Sequence, residues 1–253
     1  GSSRAIKPLC YALLSDPDHV VREWSAAALE ALGNQEAVQP LVLAMKRDSS
    51  KDVRLRAAMA LRSLKAAEAF RELLSYEDPE IRGMAVTGLA KIRDISSLAD
   101  VARLIEDENA EVRRRAAAYM GDIANEEALG PLAIALKDDE VDVRCEALKS
   151  LGKIKGERAA DLALAALPDR EWKVRYTAVT ALGEIGHKKA LEALIEVMFG
   201  QDDEDIRAWA AWSLGEIGDE RAIEPLQRAY KTCPTEVMKK ARDSLVEVFG
   251  QEI

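Results

Sequence analysis

Residues 206–218 read Ile206-Arg207-Ala208-Trp209-Ala210-Ala211-Trp212-Ser213-Leu214-Gly215-Glu216-Ile217-Gly218, and the same frame returns along the whole chain. A Val-Arg or Ile-Arg pair places arginine at Arg22, Arg54, Arg82, Arg113, Arg144, Arg175 and Arg207, at intervals of 32, 28, 31, 31, 31 and 32 residues. Another 31 residues on, Val237-Met238 is an eighth copy that has lost its arginine. Three positions after each mark stand Ser25, Ala57, Ala85, Ala116, Ala147, Ala178, Ala210 and Ala241. Seven positions after stand Leu29, Leu61, Leu89, Met120, Leu151, Leu182, Leu214 and Leu245. Self-similarity at a fixed period of this size is the signature of a repeat architecture.

Counted from the arginine, offsets −1, +3, +7 and +10 fall on one stripe of a helix with 3.6 residues per turn, so each unit holds an amphipathic helix, B. A small residue at +3 implies close approach of a neighbouring backbone. Between successive B helices runs a second apolar pattern, helix A, such as Ala128 to Leu136. Gly33-Asn34, Gly186 and Gly218-Asp219 suit helix ends followed by caps, and Asp78-Pro79 suits a helix start. Pro8, Pro40, Pro131 and Pro225 share one early place in helix A, where the missing N–H costs little. No strand signal is present. Helix pairs too small to bury their own apolar faces must stack. The expected fold is therefore all-α: a right-handed α-α superhelix (solenoid) of about eight two-helix units, sixteen short helices in all. The units are expected near 4–33, 34–65, 66–93, 94–124, 125–155, 156–186, 187–218 and 219–250, as one array over 4–250. Gly1-Ser2-Ser3 reads as a cloning scar, and the ordinary helix A that opens at Arg4 suggests truncation from a longer array or a first helix that caps unaided.

The pattern Asp…(Val/Ile)-Arg…Ala-Ala…Leu-Gly-x-Ile, best kept at Val112-Arg113 to Ile123, Val174-Arg175 to Gly186 and Ile206-Arg207 to Gly218, resembles the short HEAT-like repeats of the phycobilisome-lyase type, an armadillo-like class. The resemblance covers about Arg4 to Gly250. It implies the solenoid, and it implies a bilin lyase-like or chaperone-like protein as one functional alternative. Deoxyhypusine hydroxylases on this scaffold place His-Glu pairs around two irons; His19 and His187 are each followed by another residue type, so that activity is not expected. Some alkylated-DNA glycosylases also use such repeats, with a basic cleft, aromatics and a catalytic carboxylate.

Composition narrows the rest. The 253 residues carry a net charge of −9, 32% charged residues and only 5% aromatics, so aliphatics and alanine must fill the core. Net acidity disfavours a general nucleic-acid binder, which needs basic groups to displace phosphate counterions. Cys10, Cys145 and Cys233 are too scattered for a disulfide framework or a CxxC metal site. No apolar run approaches the roughly 18 residues of a membrane span. A cytoplasmic protein without cofactor, metal or membrane association is expected, with nucleic acid an unfavoured partner.

Six residues before the arginine mark stand Asp16, Asp48, Tyr76, Asp107, Asp138, Asp169, Gln201 and Thr232. Asp78 and Asp202 lie close enough to substitute at two exceptions, and unit eight loses both partners together. This predicts a structural Asp–Arg ladder of Asp16, Arg22, Asp48, Arg54, Arg82, Asp107, Arg113, Asp138, Arg144, Asp169, Arg175 and Arg207 along the inter-helix turns. The acidic runs at 138–142 and 202–205 precede B helices, where negative charge favours the N-terminus. The opposite face of helix B, offsets +1, +2, +5, +8 and +9, is expected to line a concave groove. It carries Leu55, Arg56, Met59, Arg62, Met84, Lys91, Arg114 and Arg115 in units two to four, and Tyr176, Thr177, Thr180, Glu184, Trp209, Trp212 and Glu216 in units six and seven. Cys145 is expected to face that surface, and the glycines at +8, Gly121, Gly152, Gly183 and Gly215, to leave its middle open. No catalytic constellation is visible. The reading is a non-catalytic scaffold that takes a protein or peptide partner on Tyr176, Trp209, Trp212, Met59, Arg56, Arg114 and Arg115, with nucleic-acid binding through the arginine-rich patch as a second alternative.

Overall fold

The computed structural model describes residues 3–250; Gly1 and Ser2 of the expected scar lie outside the described residues. Among them are sixteen α-helices and no strand. The helices alternate as pairs, and the second of each pair contains the arginine register. They are α1 (Ile6–Ser15) and α2 (His19–Leu32), α3 (Val38–Arg47) and α4 (Lys51–Ser63), α5 (Ala67–Leu73) and α6 (Pro79–Ile92), and α7 (Leu98–Arg103) and α8 (Ala110–Ile123). Then follow α9 (Leu129–Ala135) and α10 (Val141–Ile154), α11 (Glu157–Leu164) and α12 (Trp172–Ile185), α13 (Leu191–Phe199) and α14 (Glu204–Ile217), and α15 (Ile223–Thr232) and α16 (Thr235–Glu247). The chain is an all-α solenoid of helix pairs. It divides into two compact units between Tyr119 and Met120, inside α8.

One turn grammar joins the pairs. After seven of the eight B helices stands a residue with positive φ: Gly33, Gly186 and Gly218 at φ 66–69°, Lys65, Arg93 and Ala124 at φ 52–55°, and Lys155 at φ 64°. A left-handed residue lets the chain reverse while its N–H still reaches the last helical carbonyls, as Gly33 N–H does to Leu29 and Glu30. At four of these turns the next residue then caps a short 3-10 turn. Asn34, Asn125 and Asp219 accept from the N–H two positions on, at 2.8, 2.8 and 3.0 Å. His187 does the same through Nδ1 at 3.3 Å. Pro40, Pro131 and Pro225 are each the third residue of the A helix that follows.

B helices pack against their own A helices and against neighbouring B helices, as α4 does with α3, α2 and α6 in the first unit, and α14 with α13, α12 and α16 in the second. The +3 residues Ala57, Ala85, Ala147, Ala178 and Ala210 are fully buried, as are the +7 leucines. At −1, Val53, Ile81, Val112 and Val174 are fully buried, while Val21 in the first B helix is 40% exposed. Burying each of these leucines contributes about 1.5–3 kcal/mol.

The +8 glycines differ from their sequence-based expectation. Gly121, Gly152, Gly183 and Gly215 are all buried rather than open. A Cβ at Gly183 would lie 3.0 Å from the backbone Cα of Ser213 in α14, and one at Gly121 would lie 2.8 Å from that of Ser150 in α10. Glycine at +8 lets successive B helices meet backbone to backbone, with Ser150, Ser213 and Ser244 at +6 as the facing residues. Ser213 Oγ–H then donates across the joint to the Val179 carbonyl at 2.8 Å.

Candidate partner-binding face

The arginine register points toward the inter-helix turns. Arg22 donates through Nε and Nη2 to both carboxylate oxygens of Asp48 at 2.7 and 2.8 Å, and through Nη1 to the Asp16 carbonyl at 2.9 Å. Arg82 repeats this with Asp107, Arg144 with Asp169 and Arg175 with Asp202, each also holding carbonyls of its own turn. Each carboxylate therefore belongs to the next repeat, 25–27 residues on. Asp202 fills the place left by Gln201. Asp78 does not fill that left by Tyr76: it caps α6 by accepting from Glu80 N–H, and Glu80 itself takes Arg54 at 2.7 Å. Arg113 donates to the Asp107 carbonyl at 2.9 Å. Arg207, facing the repeat with Thr232 in the acidic place, donates to the Met198 carbonyl at 3.0 Å and lies near Cys233 Sγ.

Burial alone would raise the Asp48 and Asp169 carboxyls. The hydrogen bonds each accepts from its arginine and from a backbone N–H, of Ser50 or of Glu171, outweigh that and hold both below the ordinary carboxylate range. Asp202 is lowered chiefly by Arg175, and Glu80 chiefly by Arg54.

The arginines expected on the groove are tied to neighbours. Arg114 and Arg115 both grip Glu111, at 2.8 and 2.7 Å, and their hydrogen bonds bring the Glu111 carboxyl down to about 2. Arg115 also donates to Thr87 Oγ1 at 3.2 Å. Arg56 pairs with Glu23 at 3.6 Å. Met59 is half-buried and Leu55 is exposed. Cys145, expected at the surface, is 3% exposed, and burial pushes its thiol up. Its Sγ faces the Lys173 carbonyl of the next B helix, so at +1 it belongs to a helix joint. Thr177 is likewise buried, donating back to Lys173 O at 2.7 Å.

In the second unit the aromatics form one row across successive B helices. Trp172 and Tyr176 of α12 meet edge-on with centroids 6.4 Å apart. Tyr176 then meets Trp209 of α14 at 5.7 Å, and Trp209 meets Trp212 at 5.0 Å. Lys240 of α16 sets its ammonium 4.9 Å above the Trp209 ring. The edge-to-face geometry places positive ring edges on negative ring faces. Tyr176, Trp209 and Trp212 are half-buried, and Trp172 is 60% exposed. Burial, helped by the charge of Asp205, raises the Tyr176 hydroxyl. Trp172 and Lys240 were missed by the sequence reading. The i to i+4 spacing of Trp172 and Tyr176 was the available signal for the first, and the +2 place that Lys240 shares with Trp209 for the second.

Among the described residues, no three His, Cys, Asp or Glu side chains converge as a metal-holding group, and no helix is long and apolar enough to cross a membrane.

The family model for HEAT repeats matches residues 1–62, 40–103, 100–171 and 160–246. No curated protein matches the chain significantly. Among solved structures, the Escherichia coli protein YibA is 23% identical with a TM-score of 0.59, over 97% of each chain. An engineered protein is 21% identical with a TM-score of 0.55, over 98% of this chain and 82% of that one. Kap95, solved in complex with Nup1, is 16% identical with a TM-score of 0.70, over 98% of this chain and 41% of that one.

Proposed function

The chain belongs to the HEAT-repeat family, and on that premise we propose that it is a non-catalytic scaffold that binds a protein or peptide partner on the exposed face of its B helices. The observation that carries this reading is the aromatic row. Four large rings stand on two adjacent helices, outside the core registers, in a chain with only twelve aromatic residues. Stacking the rings on one another fixes their rotamers before any partner arrives, so little side-chain entropy is lost on binding. Tryptophan and tyrosine held this way concentrate binding energy. The fold supports the same reading, since Kap95 has been solved with a protein partner, Nup1. The reading takes the repeats as one array over 4–250.

The test is affinity purification of the intact protein from its native cells, with Trp212→Ala and Trp172→Ala in parallel. Each substitution is expected to lose roughly 2 kcal/mol of partner binding, while the helical signal and melting temperature stay close to the parent. Partners retained equally by both variants would place the docking face elsewhere. A large fall in melting temperature for Trp212→Ala alone would make that ring core, leaving the more exposed Trp172 to decide.

A further inference from the structure

We infer that the segment docking on the aromatic row is cationic, a lysine- or arginine-rich stretch of a partner protein; this rests on the docking reading of the row. Charge is divided unevenly along the chain. Residues 1–119 hold 18 Lys and Arg against 18 Asp and Glu, whereas residues 120–253 hold 18 against 27. The whole net charge of −9 therefore lies in the unit that carries the row.

The same bias is present at the rings. On α14, Asp205, Trp209, Trp212 and Glu216 follow one another at i, i+4, i+7 and i+11, a single stripe bounded by a carboxylate at each end. On α12, Trp172, Tyr176, Thr180 and Glu184 form the parallel stripe and end the same way. Glu184, Asp205 and Glu216 are exposed and make no ion pair among the described residues. Lys240 shows how a cation sits here, with its ammonium over the Trp209 face.

Other partner chemistries fit less well. An acidic segment would bring its carboxylates beside Glu184, Asp205 and Glu216, and like charges at an interface are strongly unfavourable. A purely apolar segment would strip water from the rim carboxylates without replacing it. Lysine and arginine answer both demands, since the aliphatic stem covers a ring while the charged head reaches a carboxylate.

The experiment uses the full chain and three fluorescein-labelled peptides that alternate Gly-Ser with Lys-Arg, with Glu-Glu or with Gln-Gln, read by fluorescence anisotropy at physiological salt. The Lys-Arg peptide is expected to bind and the other two not. Glu184→Gln with Glu216→Gln should weaken binding about tenfold or more, and Trp212→Ala should weaken it as well. Glu126→Gln with Glu127→Gln removes the same charge from an exposed turn of the same unit and should change affinity by less than about twofold. Equal losses from the two charge pairs would mean general attraction to an acidic protein and would overturn the inference, as would binding of the Glu or Gln peptide. A randomised peptide library panned on the parent and on Trp212→Ala separates the two levels. Trp212-dependent peptides that are not basic overturn the charge inference and leave the docking face standing; the absence of any Trp212-dependent peptide removes both. Circular dichroism on every variant checks that the fold is kept.

Discussion

Arg144, 4% exposed, reaches two turns at once: both oxygens of Asp169 in the next repeat, at 3.0 and 3.1 Å, and the carbonyls of Asp138 and Asp139 in its own, at 2.7 and 3.1 Å. Truncation would leave a partly buried carboxylate and two carbonyls without these donors. Arg144→Ala is therefore expected to cost about 3–5 kcal/mol of stability, read from the shift of a urea-unfolding midpoint. A variant melting with the parent would assign the side chain a role other than cohesion. Arg54 provides the contrast. Its partner Glu80 engages Nη2 alone, and the buried Nε has no hydrogen-bond partner, so Arg54→Ala should cost less. The aspartate and arginine registers were legible because both recur at fixed offsets. That Arg22, Arg54, Arg82, Arg144 and Arg175 pair with carboxylates of the following repeat was not legible, since a one-dimensional period does not say which neighbour a side chain leans toward.

Helix B existed in the sequence as a stripe, and its buried edge was readable because one apolar choice is repeated eight times. Its other edge differs from the expected open surface at +8, because a missing side chain in a sequence signals close backbone contact as readily as empty space. Gly183 and Gly152 separate the possibilities. An added Cβ at Gly183 meets the Ser213 backbone of α14, whereas at Gly152 it meets the carboxylate end of Glu184, which can swing away. Gly183→Ala is expected to push α12 and α14 apart and destabilise by about 1–3 kcal/mol. Gly152→Ala should instead be neutral or gain up to about 1 kcal/mol from helix propensity. Thermal melting of the two single variants tests this, and the same sign for both would refute the backbone-contact account. The aromatic row was only partly legible: Trp209, Trp212 and Tyr176 stood out by register, but the edge-on contacts that join two helices need three-dimensional placement.

At the scale of the molecule, lowered carboxylates make stability depend on pH. Asp48, Glu80, Asp169 and Asp202 are all held below their ordinary values in the folded state. Their contribution is complete above the unfolded carboxylate range, near about pH 4, and is lost as pH falls through the lowered folded values. The urea midpoint should stay nearly level from neutrality to about pH 5 and fall below about pH 4. Asp48→Asn should start lower at neutral pH and fall less steeply, which separates the ladder from the general loss of negative charge on acidification. Parallel curves for the two proteins would remove the ladder as the cause. The repeat count and helical class were readable from period alone, whereas the division at Tyr119 and Met120 left no mark, because the arginine register runs through α8 unbroken. The reach of Arg175 into the following turn also governs what a change in gene length would do. Tandem duplication of residues 156–186 offers Arg175 the aspartate of the inserted copy, and gives Asp202 to the copied arginine, so every fork keeps a mate. An insertion of half that length would strand one guanidinium against the wrong turn. Whole-unit duplicates should melt in one cooperative step at or above the parent temperature and half-unit ones should not, which would make the arginine joint the natural seam for lengthening or shortening such genes.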